Sequence, residues 1–402
     1  MTLPPLAMAS NAPVTHATAG QRPRLLPTAP LSPCAPLVLG DEWARGAFGS
    51  VFVVDAPHYH GTARKIAVKR VPDPIGHVNR ELETCVRLAR DPHPNIVQML
   101  GYWTEEGAEG AAPEAPRAAV LYLAMEFFPE TLGGVLARLA ESGMRMRTGR
   151  MTALAGQLAR ALDHLERIGL MHRDVKPDNV LVDVRANRLA LCDFGSAKFL
   201  GPTERPCATS AGAKFLGPTE RPCATSAGVT YVCTRNYRAP ELILGRDMYS
   251  TSVDVWAFGC ILGEFAYGRP LFAGDTQVDV LARIIRARGM VTADDIAHMP
   301  TSRLDETETE TETETETETD LGLSGLSGLS GLSGLSGLTG PIPWSKVFTR
   351  RVGPSAPSAP TRRVNASYGA FYERVLDACL QWNPSRRISA HDLGRDPAWG
   401  EP

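Results

Sequence analysis

The sequence predicts an α+β fold of two lobes, a small β-rich lobe followed by a larger helical lobe. Short runs of β-branched and aromatic residues, typical of strands, are concentrated between Leu37 and Phe128. After Pro129 the apolar residues recur at helical spacing instead. At 402 residues, the chain is long enough to bury a core in each lobe. We therefore predict lobes at 37–128 and 129–400.

The first lobe is predicted to contain a small sheet and one helix. Its strands are predicted at Val51–Val54, Ile66–Val71, Ile96–Tyr102 and Val120–Met125. Between the second and third of these strands, apolar side chains recur at helical spacing and predict a helix. They are Val78, Leu82, Cys85 and Leu88/Ala89.

Two helices stand out in the second lobe. One has an apolar stripe and is predicted to end at Gly169, a residue type common at helix C-termini. The stripe consists of Leu154, Leu158, Ala161, Leu162 and Leu165. The other, Val253–Ala266, is apolar almost all round, which predicts a helix buried at the centre of the lobe.

Four segments lack any pattern that would bury a continuous apolar face, and we expect them to be solvated. They are an N-terminal arm at 1–36, expected to be disordered, a loop at 104–118, an insert at 304–340 and a linker at 354–360. The insert contains Glu-Thr pairs followed by Leu-Ser-Gly repeats. A fifth irregularity is a tandem duplication, since Ala197–Gly212 is repeated without change at Ala213–Gly228.

Composition argues against several classes of protein. The formal net charge is −2, so no broad basic field favours nucleic acid or membrane as a partner. No apolar run reaches membrane-spanning length, and the first residues lack a signal-peptide pattern. The eight cysteines show no CxxC pair and are expected to be reduced thiols. We expect a cytoplasmic location, with a nuclear one also open.

The most informative motif is HRDVKPDN at 172–179, followed by DFG at 193–195. The Asp174 carboxylate can accept the proton of a substrate hydroxyl. Lys176 can neutralise charge on a transferring phosphoryl group, and Asn179 and Asp193 offer the hard oxygen ligands that Mg²⁺ prefers. Together they predict transfer of the γ-phosphoryl group of Mg-ATP to a hydroxyl.

A phosphate-binding lysine is predicted in the first lobe. Ala67 and Lys69 share one face of a predicted strand, so Ala67 can touch an adenine while Lys69 reaches the phosphates. Glu81, on the predicted helix, is the expected ion-pair partner of Lys69.

A glycine-rich loop for the phosphates is predicted just before the first strand. The stretch ARGAFGSV at 44–51 provides Gly46, Gly49 and Val51 for nucleotide binding. Ala44 replaces the first glycine of such a loop. We expect its methyl group to lower ATP affinity modestly without abolishing binding.

At these motifs the chain resembles a eukaryotic protein kinase, and finer features resemble the glycogen synthase kinase (shaggy-like) family. The matching stretches are NREL at 79–82, FPET at 128–131, LCDFGSAK at 191–198, YVCTRNYRAPE at 231–241, DVW at 254–256 and PWSKVF at 343–348. The resemblance implies the bilobal protein kinase fold with ATP between the lobes. The mitogen-activated kinases fit less well, because Val229 stands where their switch has Thr. Cyclin-dependent kinases differ on the helix that carries Glu81.

The resemblance also implies roles for residues that no short motif singles out. Met125 would be the gatekeeper, Glu126 and Phe128 would offer backbone hydrogen bonds to adenine, and Leu181 would lie under the ring. Glu241 would pair with Arg387 and stabilise the larger lobe. The substrates implied are proteins, phosphorylated on Ser or Thr.

Members of the resembled family commonly prefer substrates that already carry a phosphate C-terminal to the target. The resemblance assigns that phosphate to Arg80, Arg173 and Lys198, and clustered basic groups suit a dianion. The duplication leaves open whether Lys198 or Lys214 takes part. Equally open is whether Arg173 only orders its loop and Arg80 is a solvated charge. Tyr231 matches an activation-loop tyrosine and is either regulatory or simply packed.

Two hypotheses about the function follow. The first is an active Ser/Thr protein kinase, a monomer with no nucleic-acid or membrane partner. The second is a catalytically impaired kinase fold that binds partners, which the doubled activation segment favours. Scaffold binding is not favoured, because Val278 and Leu281 keep only part of the apolar helix surface that the family uses. Ala282 stands where a larger residue is expected.

Overall fold

A computed structural model describes residues 24–25, 39–46, 49–56, 64–74, 79–106, 118–200, 235–246, 249–299, 340–349 and 366–400. The chain divides into two compact units. The first comprises the described residues up to Asp91 together with Gln98–Phe127. The second comprises Pro92–Val97 and the described residues from Phe128 onward.

The strands and helices are numbered in chain order within the described residues. The strands are β1 (Arg24–Leu25), β2 (Glu42–Gly46), β3 (Gly49–Ala56), β4 (Arg64–Pro74), β5 (Met99–Glu106), β6 (Ala118–Glu126), β7 (Glu130–Thr131), β8 (Leu170–Met171), β9 (Val180–Asp183), β10 (Arg188–Leu191) and β11 (Lys198–Phe199). The helices are α1 (Arg80–Leu88), α2 (Leu132–Glu141), α3 (Thr148–Ile168), α4 (Pro240–Ile243), α5 (Ser252–Tyr267), α6 (Gln277–Arg288), α7 (Ala293–Ala297), α8 (Trp344–Thr349), α9 (Ala366–Cys379) and α10 (Ala390–Gly394).

The first unit is built on an antiparallel sheet with the strand order β1-β5-β6-β4-β3-β2. Its inward side chains form one buried cluster: Val54, Ile66, Val68, Leu100, Tyr122 and Ala124. The register places Lys69 opposite Val51 on one side and Leu123 on the other. Helix α1 begins where the Asn79 side chain accepts the backbone N–H of Leu82, an N-cap that satisfies one unpaired helix donor.

The second unit is mainly helical, as predicted. Helix α3 ends at Gly169, as predicted, and this C-cap has the left-handed conformation (φ 71°) that glycine adopts readily. Helix α5 is buried at every residue from Val253 to Phe265, which confirms the predicted central helix. A small sheet of order β10-β9-β7 and the pair β11-β8 hold the loops that carry the motifs.

Several sequence expectations differ from the structure at strand ends, and β3 and β4 extend beyond the predicted Val51–Val54 and Ile66–Val71. Strand β5 begins at Met99, not at Ile96, which forms a parallel bridge to Leu191 instead. Thr104–Glu106 and Ala118, expected in a loop, extend β5 and β6. Arg24–Leu25, expected in a disordered arm, pairs with Gly101 and Tyr102. Pairing through backbone groups requires no apolar side chains, so composition alone does not reveal it.

Several expectations fall outside the described residues. They concern the rest of the N-terminal arm, residues 107–117, most of the duplication, the insert except Gly340, and the linker at 354–360. Among the described residues no helix has the length and apolar character needed to cross a membrane. Cys85, Cys192, Cys260 and Cys379, the cysteines within the described ranges, are free thiols.

Candidate active site

The loop that carries Asp174 is hydrogen-bonded to Asp254, which lies near the start of α5. The carboxylate of Asp254 accepts the backbone N–H groups of His172 at 2.7 Å and Arg173 at 2.8 Å. Burial raises the pKa of the Asp254 carboxyl, while nearby His172 and the two backbone donors oppose that shift. Arg173 has φ 67°, a conformation that is unfavourable for a residue with a side chain. The two hydrogen bonds to Asp254 stabilise this turn.

The histidine of the motif orders the same loop. Its Nε2 lies 2.9 Å from the carbonyl oxygen of Cys192, and because a carbonyl only accepts, Nε2 carries the proton. The unprotonated Nδ1 then accepts the N–H of Asp174 at 3.3 Å. The His172 ring also packs edge-on against Phe194. His172 therefore joins the two motifs within the second unit.

The Asp174 carboxylate is oriented by two neighbours. Lys176 Nζ lies 2.7 Å from Asp174 Oδ2, and Asn179 Nδ2 donates to the same oxygen at 3.0 Å. Asn179 Nδ2 also donates to the backbone carbonyl of Asp174 at 2.8 Å. Asp174 is only 7% exposed, so these contacts hold a negatively charged oxygen in a defined position. A carboxylate held in this way is suited to accept a proton from a hydroxyl.

Asn179 and Asp193 fit a magnesium ion by their donor chemistry. Asn179 Nδ2 donates hydrogen bonds to Asp174, so the Oδ1 atom of Asn179 is the one left to act as a metal ligand. The N–H of Cys192 donates to the carbonyl of Asn179 at 2.9 Å, which brings the chain just before Asp193 beside Asn179. The described residues contain no group of three or more His, Cys, Asp or Glu side chains suited to a metal. Two oxygen ligands match Mg²⁺, which usually keeps waters and binds substrate phosphates.

The first unit contains the predicted ion pair. Lys69 Nζ lies 2.7 Å from Glu81 Oε1, and the two residues are 8% and 6% exposed. The structure thus brings β4 and α1 together through the two residues selected from the sequence. A buried lysine held by a carboxylate is positioned as a fixed cation for phosphate.

The predicted nucleotide-binding residues divide between the two units. In the first, Gly46 and Gly49 face each other at the end of the β2–β3 hairpin, and Gly49 has φ 138°. A side chain on Gly49 would collide with the carbonyl of Arg70, so only glycine fits there.

Ala67 pairs with Met125, and the Glu126 side chain accepts the N–H of Gln98 at 3.1 Å.

The remaining nucleotide-binding candidates belong to the second unit. Phe128 is buried, with the Arg188 guanidinium 4.9 Å from its ring centre. Leu181 lies on β9 opposite Ala190 and is partly exposed.

Among the three candidate scaffold residues of α6, Leu281 and Ala282 are buried while Val278 is partly exposed.

The three predicted phosphate-pocket residues are distributed over both units. Arg173 Nε donates to the carbonyl of Ser196 at 2.5 Å, and its Nη1 donates to the Tyr249 hydroxyl at 2.9 Å. Lys198 is exposed on β11 opposite Met171. Arg80 is exposed at the start of α1 in the first unit. Lys214 and Tyr231 lie outside the described residues.

Asp254 and Glu264 also contact loops of the second unit, although the sequence motifs predicted no role for either residue. Tyr237 donates its hydroxyl to Glu264 Oε2 at 2.7 Å, and burial raises the pKa of both groups. A signal was present, because these are the charged residues of an otherwise apolar predicted helix. Buried carboxylates require partners, so their presence indicates contacts with other segments.

The predicted pair of Glu241 and Arg387 is present and fully buried. Both guanidinium nitrogens of Arg387 lie 2.6 Å from the two carboxylate oxygens of Glu241. The side chains are 1% and 0% exposed. The pair therefore joins α4 to the turn before α10, as expected from the resemblance.

The chain is similar to known proteins over most of its length. The protein kinase domain family model matches residues 39–398. The chain is 35% identical to protein kinase gsk31 of Schizosaccharomyces pombe over 286 residues, which is 71% of this chain and 64% of that protein. It is also 35% identical to glycogen synthase kinase 3 of Trypanosoma brucei brucei over 258 residues, 63% of this chain and 64% of that protein.

A third relative, glycogen synthase kinase 1 of Pyricularia oryzae, is 35% identical over 254 residues, 63% of this chain and 56% of that protein. The chain thus spans less than two thirds of the length of each of these relatives. These similarities confirm the resemblance and the protein kinase fold predicted from the sequence. Since the family model covers most of its length, the chain belongs to the protein kinase domain family.

Proposed function

We propose that this chain is an ATP-dependent protein serine/threonine kinase. The observation that carries the proposal is the Asp174 carboxylate, held by Lys176 Nζ at 2.7 Å and Asn179 Nδ2 at 3.0 Å. The substrate hydroxyl oxygen attacks the γ-phosphorus, the bond between that phosphorus and the bridging oxygen of ADP breaks, and Asp174 accepts the hydroxyl proton. Lys176, beside the same carboxylate, offsets negative charge on the phosphoryl group.

The buried pair of Lys69 and Glu81 supports the nucleotide part of the proposal. Glu81 holds the lysine ammonium in place, and Lys69 would bind the α- and β-phosphates of ATP. Asn179 and Asp193 would hold Mg²⁺, which supplies charge neutralisation to the phosphates. The proposal requires both units to act on one nucleotide.

We further propose a preference for substrates that carry a phosphate C-terminal to the target residue. Arg173 supports it, because hydrogen bonds to Ser196 and Tyr249 hold its guanidinium in one orientation. Lys198, two residues after Ser196, adds an exposed ammonium in the same unit. Arg80 would supply the third cation.

One transfer assay tests both statements. Mg-ATP is supplied with a Ser-containing peptide in two forms, with phosphoserine or plain serine C-terminal to the target, and the Asp174→Asn protein serves as the blank. We expect turnover that depends on Asp174 and is faster for the phosphorylated form. Equal turnover of both peptides would keep the kinase and remove the phosphate preference. Absence of turnover above the blank would refute the kinase.

The second candidate function is a kinase fold that binds ATP or protein partners and phosphorylates poorly. The observation that favours it is the unchanged repeat, at Ala213–Gly228, of the segment Ala197–Gly212 that contains β11. A chain lacking 213–228 separates the candidates. A large gain in turnover on deletion shows that the repeat inhibits an otherwise competent enzyme, whereas unchanged high turnover shows that it is tolerated.

A further inference from the structure

A groove in the second unit lies outside the residues assigned to catalysis. It encloses about 430 Å³ between α2, the connection from α2 to α3, and the turn after β9. Its lining residues are Val135, Arg138, Leu139, Arg145, Met146, Arg147, Arg150 and Val184. A neighbouring depression of about 370 Å³ shares Arg147 and Arg150 with it and extends to Asn187.

The groove has an excess of positive charge. Arg138 is paired with Glu130 at 2.7 Å, and Arg145 donates to the carbonyl of Ala266 at 2.8 Å. Arg147 and Arg150 are both exposed and form no ion pair with any residue in the described ranges. Two uncompensated guanidinium groups at the junction of two depressions favour an anionic occupant.

The groove also has an apolar wall. Val135 is buried on α2, while Leu139, Met146 and Val184 are partly exposed along the groove. Met144, in the same connection, is 60% exposed, which makes it one of the few large apolar side chains in the described residues left open to solvent. Apolar surface beside unpaired arginines suits an occupant that carries both carboxylates and an aliphatic side chain.

We propose that this groove docks an acidic linear segment of a partner protein, with an aliphatic residue seated against Leu139, Met146 and Val184. Its carboxylates would pair with Arg147 and Arg150. A single-stranded nucleic acid fits less well, because the described residues that line the groove include no aromatic side chain on which bases could stack. The inference does not depend on phosphoryl transfer, because docking would occur even if the catalytic residues were inactive.

The test measures binding, not catalysis. A fluorescein-labelled peptide of Glu and Asp with two central leucines is titrated with the full chain, and its anisotropy is followed at low and at physiological salt. The same titration uses a leucine-free acidic peptide and a labelled oligouridylate. The protein variants are Arg147→Glu with Arg150→Glu, and the conservative pair Arg147→Lys with Arg150→Lys. A control pair, Arg286→Glu with Arg395→Glu, alters exposed arginines outside the groove by the same total charge.

We expect the leucine-containing peptide to bind in a salt-dependent manner. The glutamate pair should weaken it by about tenfold or more, because ion pairs are replaced by repulsion. The lysine pair should bind nearly as the parent does, and so should the control pair. Equal thermal unfolding midpoints of the variants would show that the fold is kept.

Three outcomes would overturn the proposal. The first is equal weakening by the groove pair and the control pair, which would indicate attraction to overall charge. The second is equal binding of the leucine-free peptide, which would remove the apolar wall from recognition. The third is tighter binding of oligouridylate, lost with Arg147→Glu and Arg150→Glu, which would make the groove a nucleic-acid site.

Discussion

Lys69 and Glu81 form a buried ion pair in the first unit, and Lys69 is the residue proposed to bind the phosphates of ATP. Their side chains are 10% and 7% exposed, with 2.7 Å between Nζ and Oε1. In such surroundings the ion pair is shielded from water, and removal of one partner leaves the other charge poorly compensated.

We expect Lys69→Met to abolish phosphoryl transfer and to lower the free energy of unfolding by about 3 kcal/mol, because the Glu81 carboxylate stays buried without its cation. The double variant Lys69→Met with Glu81→Leu should recover most of that stability but no activity. Urea unfolding and the peptide transfer assay measure the two effects. Full activity of the single variant would contradict the role of Lys69.

At the scale of single residues, His93 is expected to make the free energy of unfolding depend on pH. Burial, the stacked ring of His164 at 5.0 Å, and the nearby charges of Arg167 and Arg160 lower its pKa from 6.5 to about 4, while Asp163 opposes the shift. Its Nδ1 lies within hydrogen-bond distance of the N–H of Asn95, at 3.2 Å, a role that only the unprotonated nitrogen can fill.

The unfolded chain binds a proton at His93 below pH 6.5, whereas the folded chain binds it only near pH 4. The stabilisation is therefore fully present above pH 6.5 and is lost as the pH falls towards 4. Since the ring is half-buried, we expect about 1 kcal/mol. In His93→Asn the side-chain oxygen can still accept the Asn95 N–H. The free energy of unfolding of this variant, measured with urea between pH 4 and 6.5, should therefore depend less on pH than that of the parent. An unchanged profile would show that other groups cause it.

At the scale of elements, α5 illustrates how tightly the second unit is packed. A Cβ on Gly259 would lie 2.8 Å from Leu380 Cδ2 and 2.9 Å from Cys379 Cβ, closer than carbon atoms normally approach. A Cβ added to Gly263 would likewise lie 2.6 Å from Leu271 Cδ2. Glycine lowers helix propensity, but here it lets α5 approach its neighbours.

We expect Gly259→Ala to destabilise the protein by about 1–3 kcal/mol through overpacking. The matched control is Gly369→Ala in α9, where the added methyl meets nothing within 4 Å. That variant should gain about 0.5–1 kcal/mol from helix propensity. Thermal and urea unfolding would show opposite signs for the two substitutions, and a shared sign would contradict this account of α5.

At the scale of the whole molecule, distant segments of the second unit are joined by buried charge. Glu241 and Arg387 are 146 residues apart, and both side chains are almost completely inaccessible to solvent. Arg387 also lies 5.1 Å from the ring centre of Trp256 in α5. The pair thus connects α4, α5 and the turn before α10.

We expect Arg387→Met to lower the free energy of unfolding by about 3–5 kcal/mol, because Glu241 would be left buried without its partner. The adjacent Arg386 pairs with Asp294 at 2.8 Å but is 60% exposed. Arg386→Met should therefore change stability by less than about 1 kcal/mol. Urea unfolding of the two neighbouring variants distinguishes buried from exposed pairing, and similar losses would contradict the argument.

Much of the local order could be predicted from the sequence. Periodicity located α3, and the apolar composition of Val253–Ala266 located α5, because both signals arise from neighbours along the chain. Strand ends such as those of β5 were predicted less well. There the backbone pairing of Arg24–Leu25 and the bridge between Ile96 and Leu191 depend on chain segments distant in sequence.

The candidate site divides in the same way. The sequence alone determined which residue types could carry phosphoryl transfer, since Asp174, Lys176 and Asn179 lie within one short loop. Only the tertiary structure decided what holds that loop, because Asp254, which accepts the N–H of His172, lies 82 residues further along. It likewise decided that Arg147 and Arg150 line a groove that also has an apolar wall, because this arrangement depends on how separate elements pack and not on any spacing within the chain.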